Sequence, residues 1–152
     1  MPLKQDIAAD RFSHGCNCAQ AVFLAYAPEV GINEGDALRI ATAFGAGMGR
    51  QQEVCGAVTG AYMVIGARYG MTEPGNTQAK EKTYALVSEF AEKFREVHGS
   101  TICLDLLGCD MSTEEGRAAI AEKKLHDSVC LPCVRDACRI LDTITVPQAP
   151  QI

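Results

Sequence analysis

Fourteen consecutive residues from Val54 to Ala67, VCGAVTGAYMVIGA, carry no charge, and they constrain the fold more than any other stretch of the chain. A bilayer needs about 20 apolar residues to be crossed, so this shorter run reads as a helix buried in a protein core. Gly56 and Gly60 stand four apart, on one face of that helix. Each costs about 1 kcal/mol relative to alanine in a helix, so a neighbouring backbone is expected to pass close over them. Cys55 falls in the first turn. Ahead of it, Gly45, Gly47 and Gly49 make a flexible segment, joined to the run through the polar residues Arg50 to Glu53.

A chain of 152 residues, 47% of them hydrophobic, fits a single domain around one core. The formal charge of -5 and the absence of Lys/Arg runs argue against a nucleic-acid footprint. The first thirty residues contain Asp6 and Asp10 and no signal-peptide core, which gives the expectation of a cytoplasmic protein without membrane insertion. In a reducing cytosol, eight cysteines are not four structural disulfides; they point to metal ligation, redox chemistry or use as small core residues.

Helical spacing covers most of the chain. It predicts a first helix over Pro2 to Phe12, a second from Cys18 to about Ala27 capped by Asn17, and a third capped by Asn33 with Ala37, Leu38, Ile40, Ala41 and Phe44 inward. The Val54 helix stops at Gly70. Asn76 to His98 follows, with Tyr84, Val87, Phe90, Ala91, Phe94 and Val97 on its apolar face. A short helix through Cys103 to Gly108 has Ser100 or Thr101 as its cap. Ser112 and Glu115 read as a capping box for a helix to about Leu125, and Ser128 as the cap of a last one through Val134, Ala137, Ile140 and Leu141. Only Thr143 to Val146 has a strand pattern. The expected class is all-α: a compact single-domain bundle of about six to eight helices, several of them short.

On this helix map, Cys18, Cys55, Cys103 and Cys130 each lie within the first turn or so of a helix. Free backbone N–H groups and the positive end of the helix dipole favour a thiolate there, the form that binds metals and attacks disulfides. Four such ligands suit zinc or an iron-sulfur cluster; two reactive dithiol pairs, or simple packing, suit the same residues.

The chain also resembles a family of redox-active proteins defined by a CGAxxG motif and four characteristic cysteines. The resemblance runs from about Phe12 to Leu141. It rests on Asn17-Cys18-Ala19-Gln20-Ala21-Val22, on Gly47-Met48-Gly49 leading into Glu53-Val54-Cys55-Gly56-Ala57-Val58-Thr59-Gly60, on Gly99-Ser100 before Cys103 with Leu106-Leu107-Gly108, and on Cys130 with Val134 and Ala137. It implies that the family's four cysteines are Cys18, Cys55, Cys103 and Cys130. A similar cysteine domain occurs in split-Soret cytochromes, which implies electron transfer and brings an iron-sulfur centre into view.

Cys16, Cys109, Cys133 and Cys138 lie outside that pattern and are expected to pack or to be incidentally exposed. Cys130-Leu131-Pro132-Cys133 has the C-x-P-C form of a thioredoxin-type dithiol, but without the βαβ setting of that fold. Val134 stands where c-type haem attachment would need a histidine, so no haem is expected. The segment Gly45 to Gly49 does not fit a nucleotide loop. Its expected roles are a backbone nest toward sulfur near Cys55, with Arg50 adding positive potential, or a tight interhelical turn. Gly47, Gly49, Arg50 and Gly56 are therefore the candidate cofactor-binding residues. His14, four residues before Cys18, is a candidate base or ligand; His98 and His126 sit at helix C-termini, where positive charge is favourable without a function. Thr59 and Tyr62 share the Cys55 face and either cover a bound sulfur or line the core.

The reading that follows is a redox-active protein in which Cys18, Cys55, Cys103 and Cys130 converge on one site. It would carry electrons through an iron-sulfur cluster or by dithiol/disulfide exchange, with Cys55 attacking and Cys18 resolving. The alternatives are a zinc-binding structural or carrier protein with the same thiolates, and a helical interaction module. An unidentified redox partner is implied, and small-residue faces suggest a homodimer.

Overall fold

The computed structural model describes residues 2–145. Eight α-helices follow in order: α1 (Lys4–Ser13), α2 (Cys18–Tyr26), α3 (Glu34–Thr42), α4 (Gly56–Tyr69), α5 (Thr77–His98), α6 (Cys103–Leu107), α7 (Glu114–Glu122) and α8 (Leu131–Ile144). A tight turn at Gly45–Met48 precedes α4, and a π-helical turn, His126–Cys130, runs directly into α8. The described residues contain no strand, only an isolated antiparallel bridge between Val54 and Ile102. No described helix is long and apolar enough to cross a membrane.

The centre of the bundle is α2. Every residue from Ala21 to Ala27 is buried, so this helix is apolar all round and must be enclosed by others. Packed around it are α1, α3, α4 and α8. The uncharged run forms α4, and its glycines serve the expected close approach: a Cβ on Gly60 would stand 2.7 Å from the Ala19 carbonyl oxygen, and one on Gly56 would stand 3.0 Å from the Ala19 nitrogen. The buried guanidinium of Arg68 is held by Glu29 at 2.7 Å and by the Thr145 hydroxyl at 2.6 Å, and Lys4 joins Glu29 at 2.6 Å, which ties α1 and α4 together. A buried charge survives only when paired in this way.

Some boundaries differ from the sequence expectation. On α5, Tyr84 and Val97 are each 60% exposed, and full burial is confined to Phe90, Ala91 and Phe94. α5 has 22 residues against 14 in each of its main neighbours, α4 and α8, and is therefore roughly 12 Å longer at 1.5 Å per residue, so its apolar face cannot be covered along its whole length. Val97 is exposed for another reason, since the next residue, His98, still packs on α8. Thr113 rather than Ser112 caps α7, because Ser112 is held by Asp110. Ser128 caps nothing: the chain is already helical there, and its hydroxyl donates to the Lys124 carbonyl. Thr143 and Ile144 complete α8 instead of starting a strand. Val146 lies outside the described residues.

Candidate functional site

Each cysteine reaches the site through local backbone chemistry. The Asn17 side chain accepts the Gln20 N–H and the Gln20 side chain accepts the Asn17 N–H, both at 2.9 Å, so a complete capping box fixes Cys18 as the first residue of α2. Cys55 is the N-cap of α4. Its N–H donates to Thr101 O at 2.8 Å, while Cys103 N–H donates to Glu53 O at 2.7 Å, and this bridge sets Cys103 beside Cys55. The buried side chain of Gln52 donates to Cys109 O and accepts from Met111 N–H, pinning the segment after α6 under the same site. Cys130 is the N-cap of α8, with Pro132 and Cys133 in the turn that follows.

The chain enters Cys55 through an unusual turn. Ala46, Gly47, Met48, Gly49 and Arg50 all have φ between +55° and +70°, a left-handed helical turn in a protein of L-residues. Such a conformation costs roughly 1–2 kcal/mol at each non-glycine position. Met48, Gly49, Gln52 and Glu53 direct their N–H groups at carbonyls of residues 44 to 47, so the turn is stitched to itself. Gly47 packs its Cα side against the Gln52 backbone.

A cavity of about 460 Å³ opens beside this turn. Cys18, Cys55, Cys103 and Cys130 all line it, together with Cys16 and the exposed His126. Gly47 and Gly56 line it as well, whereas Gly49 and Arg50 line a separate depression on the other side of the turn with Asn17 and Thr42. A second, water-sized space of about 20 Å³ adjoins it, between Cys55, Cys103, Cys130 and Cys133. No group of three or more His, Cys, Asp or Glu side chains among the described residues is arranged to hold a metal ion.

The sulfurs form two hydrogen-bonded pairs. The Cys18 thiol donates to Cys130, which raises Cys18 well above the usual thiol value and lowers Cys130 to about 6; the neighbouring His126 pulls Cys130 further in the same direction, against the effect of burial. The Cys133 thiol donates to Cys55. That bond is the main cause of a lowered Cys55, helped by the Ala57 and Val58 N–H groups at the start of α4, and of a raised Cys133. Each pair thus holds one sulfur disposed to be a thiolate and one held as a thiol. Cys103 belongs to neither pair; its thiol is pushed up to about 12 chiefly by burial, against a hydrogen bond with the Gln52 side chain.

Cys133 is the residue sequence reasoning placed elsewhere, as a packing cysteine. It is 1% exposed, and besides Cys55 its sulfur meets His98 Nδ1 at 3.9 Å. His98 Nε2 in turn lies 2.9 Å from Asp136 Oδ2. The two histidines expected to do no more than neutralise helix ends are therefore those that touch sulfur. His14, the candidate base, is 75% exposed and bonds back to Asp10 on its own helix. Cys138 fills the core as expected, its thiol raised to about 12 by burial, and Cys109 packs against the small cluster of Cys103, Leu107, Met111 and Ile120. Thr59 returns its hydroxyl to Gly56 O, and Tyr62 meets Phe90 edge-on at 5.9 Å, so both are core lining. The C-x-P-C spacing was the available signal for Cys133; no local pattern marks either histidine.

A family model described as "Putative redox-active protein (C_GCAxxG_C_C)" matches residues 16–144. The order at its central motif here is Cys55-Gly56-Ala57, with Gly60 closing it. No curated protein and no solved structure matches the chain.

Proposed function

Because the chain belongs to the redox-active family marked by the C_GCAxxG_C_C pattern, we propose that it transfers electrons by dithiol/disulfide exchange at Cys18 and Cys130. What supports this reading is that Cys18 and Cys130 line the same open cavity and act on one another, with Cys130 lowered to about 6. At neutral pH such a sulfur is a thiolate, near the optimum for an attacking thiol. Cys130 attacks one sulfur of a bound disulfide, and the other sulfur leaves as a thiolate. The Cys18 thiol gives up its proton and attacks Cys130 in the mixed disulfide, releasing the second substrate thiolate. Two electrons pass to the substrate, and the protein keeps a Cys18–Cys130 disulfide until a donor dithiol reverses the steps. This order differs from the sequence expectation, in which Cys55 attacks and Cys18 resolves.

The test is oxidation of the reduced full chain with a small disulfide, followed by alkylation and peptide mapping. A Cys18–Cys130 disulfide is expected, and C130S should abolish it together with any turnover of the substrate disulfide. Stoichiometric iron or zinc in anaerobically purified protein, with these thiols unreactive, would overturn the reading in favour of a cluster or a zinc site.

A further inference from the structure

The second sulfur pair is less exposed than the first. Cys55 and Cys133 are 7% and 1% exposed, and Cys133 is absent from the walls of the open cavity. Cys55 and Cys130 line both the open cavity and the water-sized void, so they are the only two cysteines of the outer and inner pairs that face both spaces. Beside Cys133 stands a candidate base: His98 Nδ1 lies 3.9 Å from the Cys133 sulfur, its buried Nε2 lies 2.9 Å from Asp136 Oδ2 in an ion-pair contact without hydrogen-bond geometry, and Arg139 holds Asp136 from its other oxygen. His98 keeps 15% of its side chain exposed. No step of the exchange at Cys18 and Cys130 uses this Cys133–His98–Asp136 chain.

From this arrangement we infer that Cys55 and Cys133 form a second, inner redox couple, filled only through the outer Cys18–Cys130 couple, with His98 as its base and Asp136 as the residue that positions His98. The inference rests on the outer exchange proposed above. In the transfer, the Cys55 thiolate attacks the Cys130 sulfur of the outer disulfide, and Cys18 leaves as a thiolate. Cys133 then gives its proton to His98 and attacks Cys55, forming the inner disulfide and expelling Cys130 as a thiolate. The proton on His98 passes to solvent and Cys18 takes one back. One disulfide bond breaks for each that forms, so the transfer needs no external oxidant. A further substrate disulfide can then reoxidise the outer pair, and the chain holds two disulfides in place of four thiols.

The test uses the reduced full chain and excess oxidised glutathione, too large and charged to enter the inner void, with acid quenching and disulfide mapping over time. Cys18–Cys130 should appear first and Cys55–Cys133 after it, with four of these thiols consumed at the end. In C18S/C130S, with folding checked by circular dichroism, Cys55 and Cys133 should stay reduced over the same period. H98Q should slow the inner phase relative to the outer by about a hundredfold or more, the low end of what a positioned base contributes. Inner oxidation at an undiminished rate in C18S/C130S would overturn the inference. So would an outer disulfide in the unaltered chain that never passes inward, a result that leaves the outer exchange standing. Absence of any Cys18–Cys130 disulfide would instead defeat the outer exchange itself.

Discussion

At the scale of single residues, the site depends on how differently the surroundings treat chemically identical thiols. Cys130 is lowered to about 6 because Cys18 donates to it and His126 stands beside it, while Cys138 is raised to about 12 chiefly by burial, with the Asp142 carboxylate adding to it. Alkylation should therefore find a reactive thiolate at Cys130 as pH rises through about 6, well before Cys16 and Cys18, whose thiols are raised. In H126Q that midpoint should move upward by about one unit, the effect of losing one neighbouring cation and hydrogen bond, as read by pH-dependent iodoacetamide labelling and mass spectrometry. The helix starts were legible beforehand, in Asn17 ahead of Cys18 and in the uncharged run after Cys55, but the thiolates expected at them were not a consequence: Cys18 and Cys103 are raised, and only at Cys55 do helix-start N–H groups help to lower the thiol. The pairing was not legible, since Cys18 with Cys130 and Cys133 with His98 are contacts between distant parts of the chain, and nothing in the neighbouring sequence encodes them.

Among elements, the contact of α2 with α4 and the left-handed turn before α4 decide where the cysteines stand. A methyl group at Gly60 would meet the Ala19 carbonyl at 2.7 Å, so G60A should push α2 outward, cost roughly 1–3 kcal/mol in chemical denaturation and slow closure of the Cys18–Cys130 disulfide. The turn gives a two-sided prediction. Ala46 sits at φ +55° with no need of its Cβ for that conformation, so A46G should raise stability by about 0.5–1 kcal/mol, the relief of left-handed strain less the added chain entropy of glycine. Gly47 is also left-handed, but an added Cβ would lie 2.5 Å from Gln52 Cα, so G47A should lose at least 2 kcal/mol or so. Gly56 and Gly60 announced the close helix contact because glycine inside an apolar helix has few other uses. The handedness of residues 46 to 50 was hidden, because Ala, Met and Arg all favour the right-handed region and only the tertiary contacts hold them out of it.

For the whole molecule, the balance of buried thiols sets how the fold answers to pH. Cys103 and Cys138 are raised from 9.0 to about 12, so the folded chain keeps protons that the unfolded chain loses as pH climbs past 9. Their contribution is complete below pH 9 and is withdrawn as pH rises toward 12, so the melting temperature should fall over that interval, and less steeply in C138A once its own loss of packing is allowed for. The all-α class followed from helical spacing; the extra reach of α5 beyond its neighbours did not, because a pattern of apolar residues gives a face without saying how much of it will be covered. The bridge from residues 52–55 to residues 101–104, and the sulfur pairs that join α2 and α4 to α8, have a consequence for the order of assembly. Both close long loops, and contacts of high sequence separation form late. During synthesis Cys18 and Cys55 emerge well before Cys130 exists to accept a hydrogen bond, so the nascent chain carries only ordinary thiols. The reactive thiolate arises as the last long loop closes, and fast labelling of Cys130 during refolding should mark completion of the fold itself.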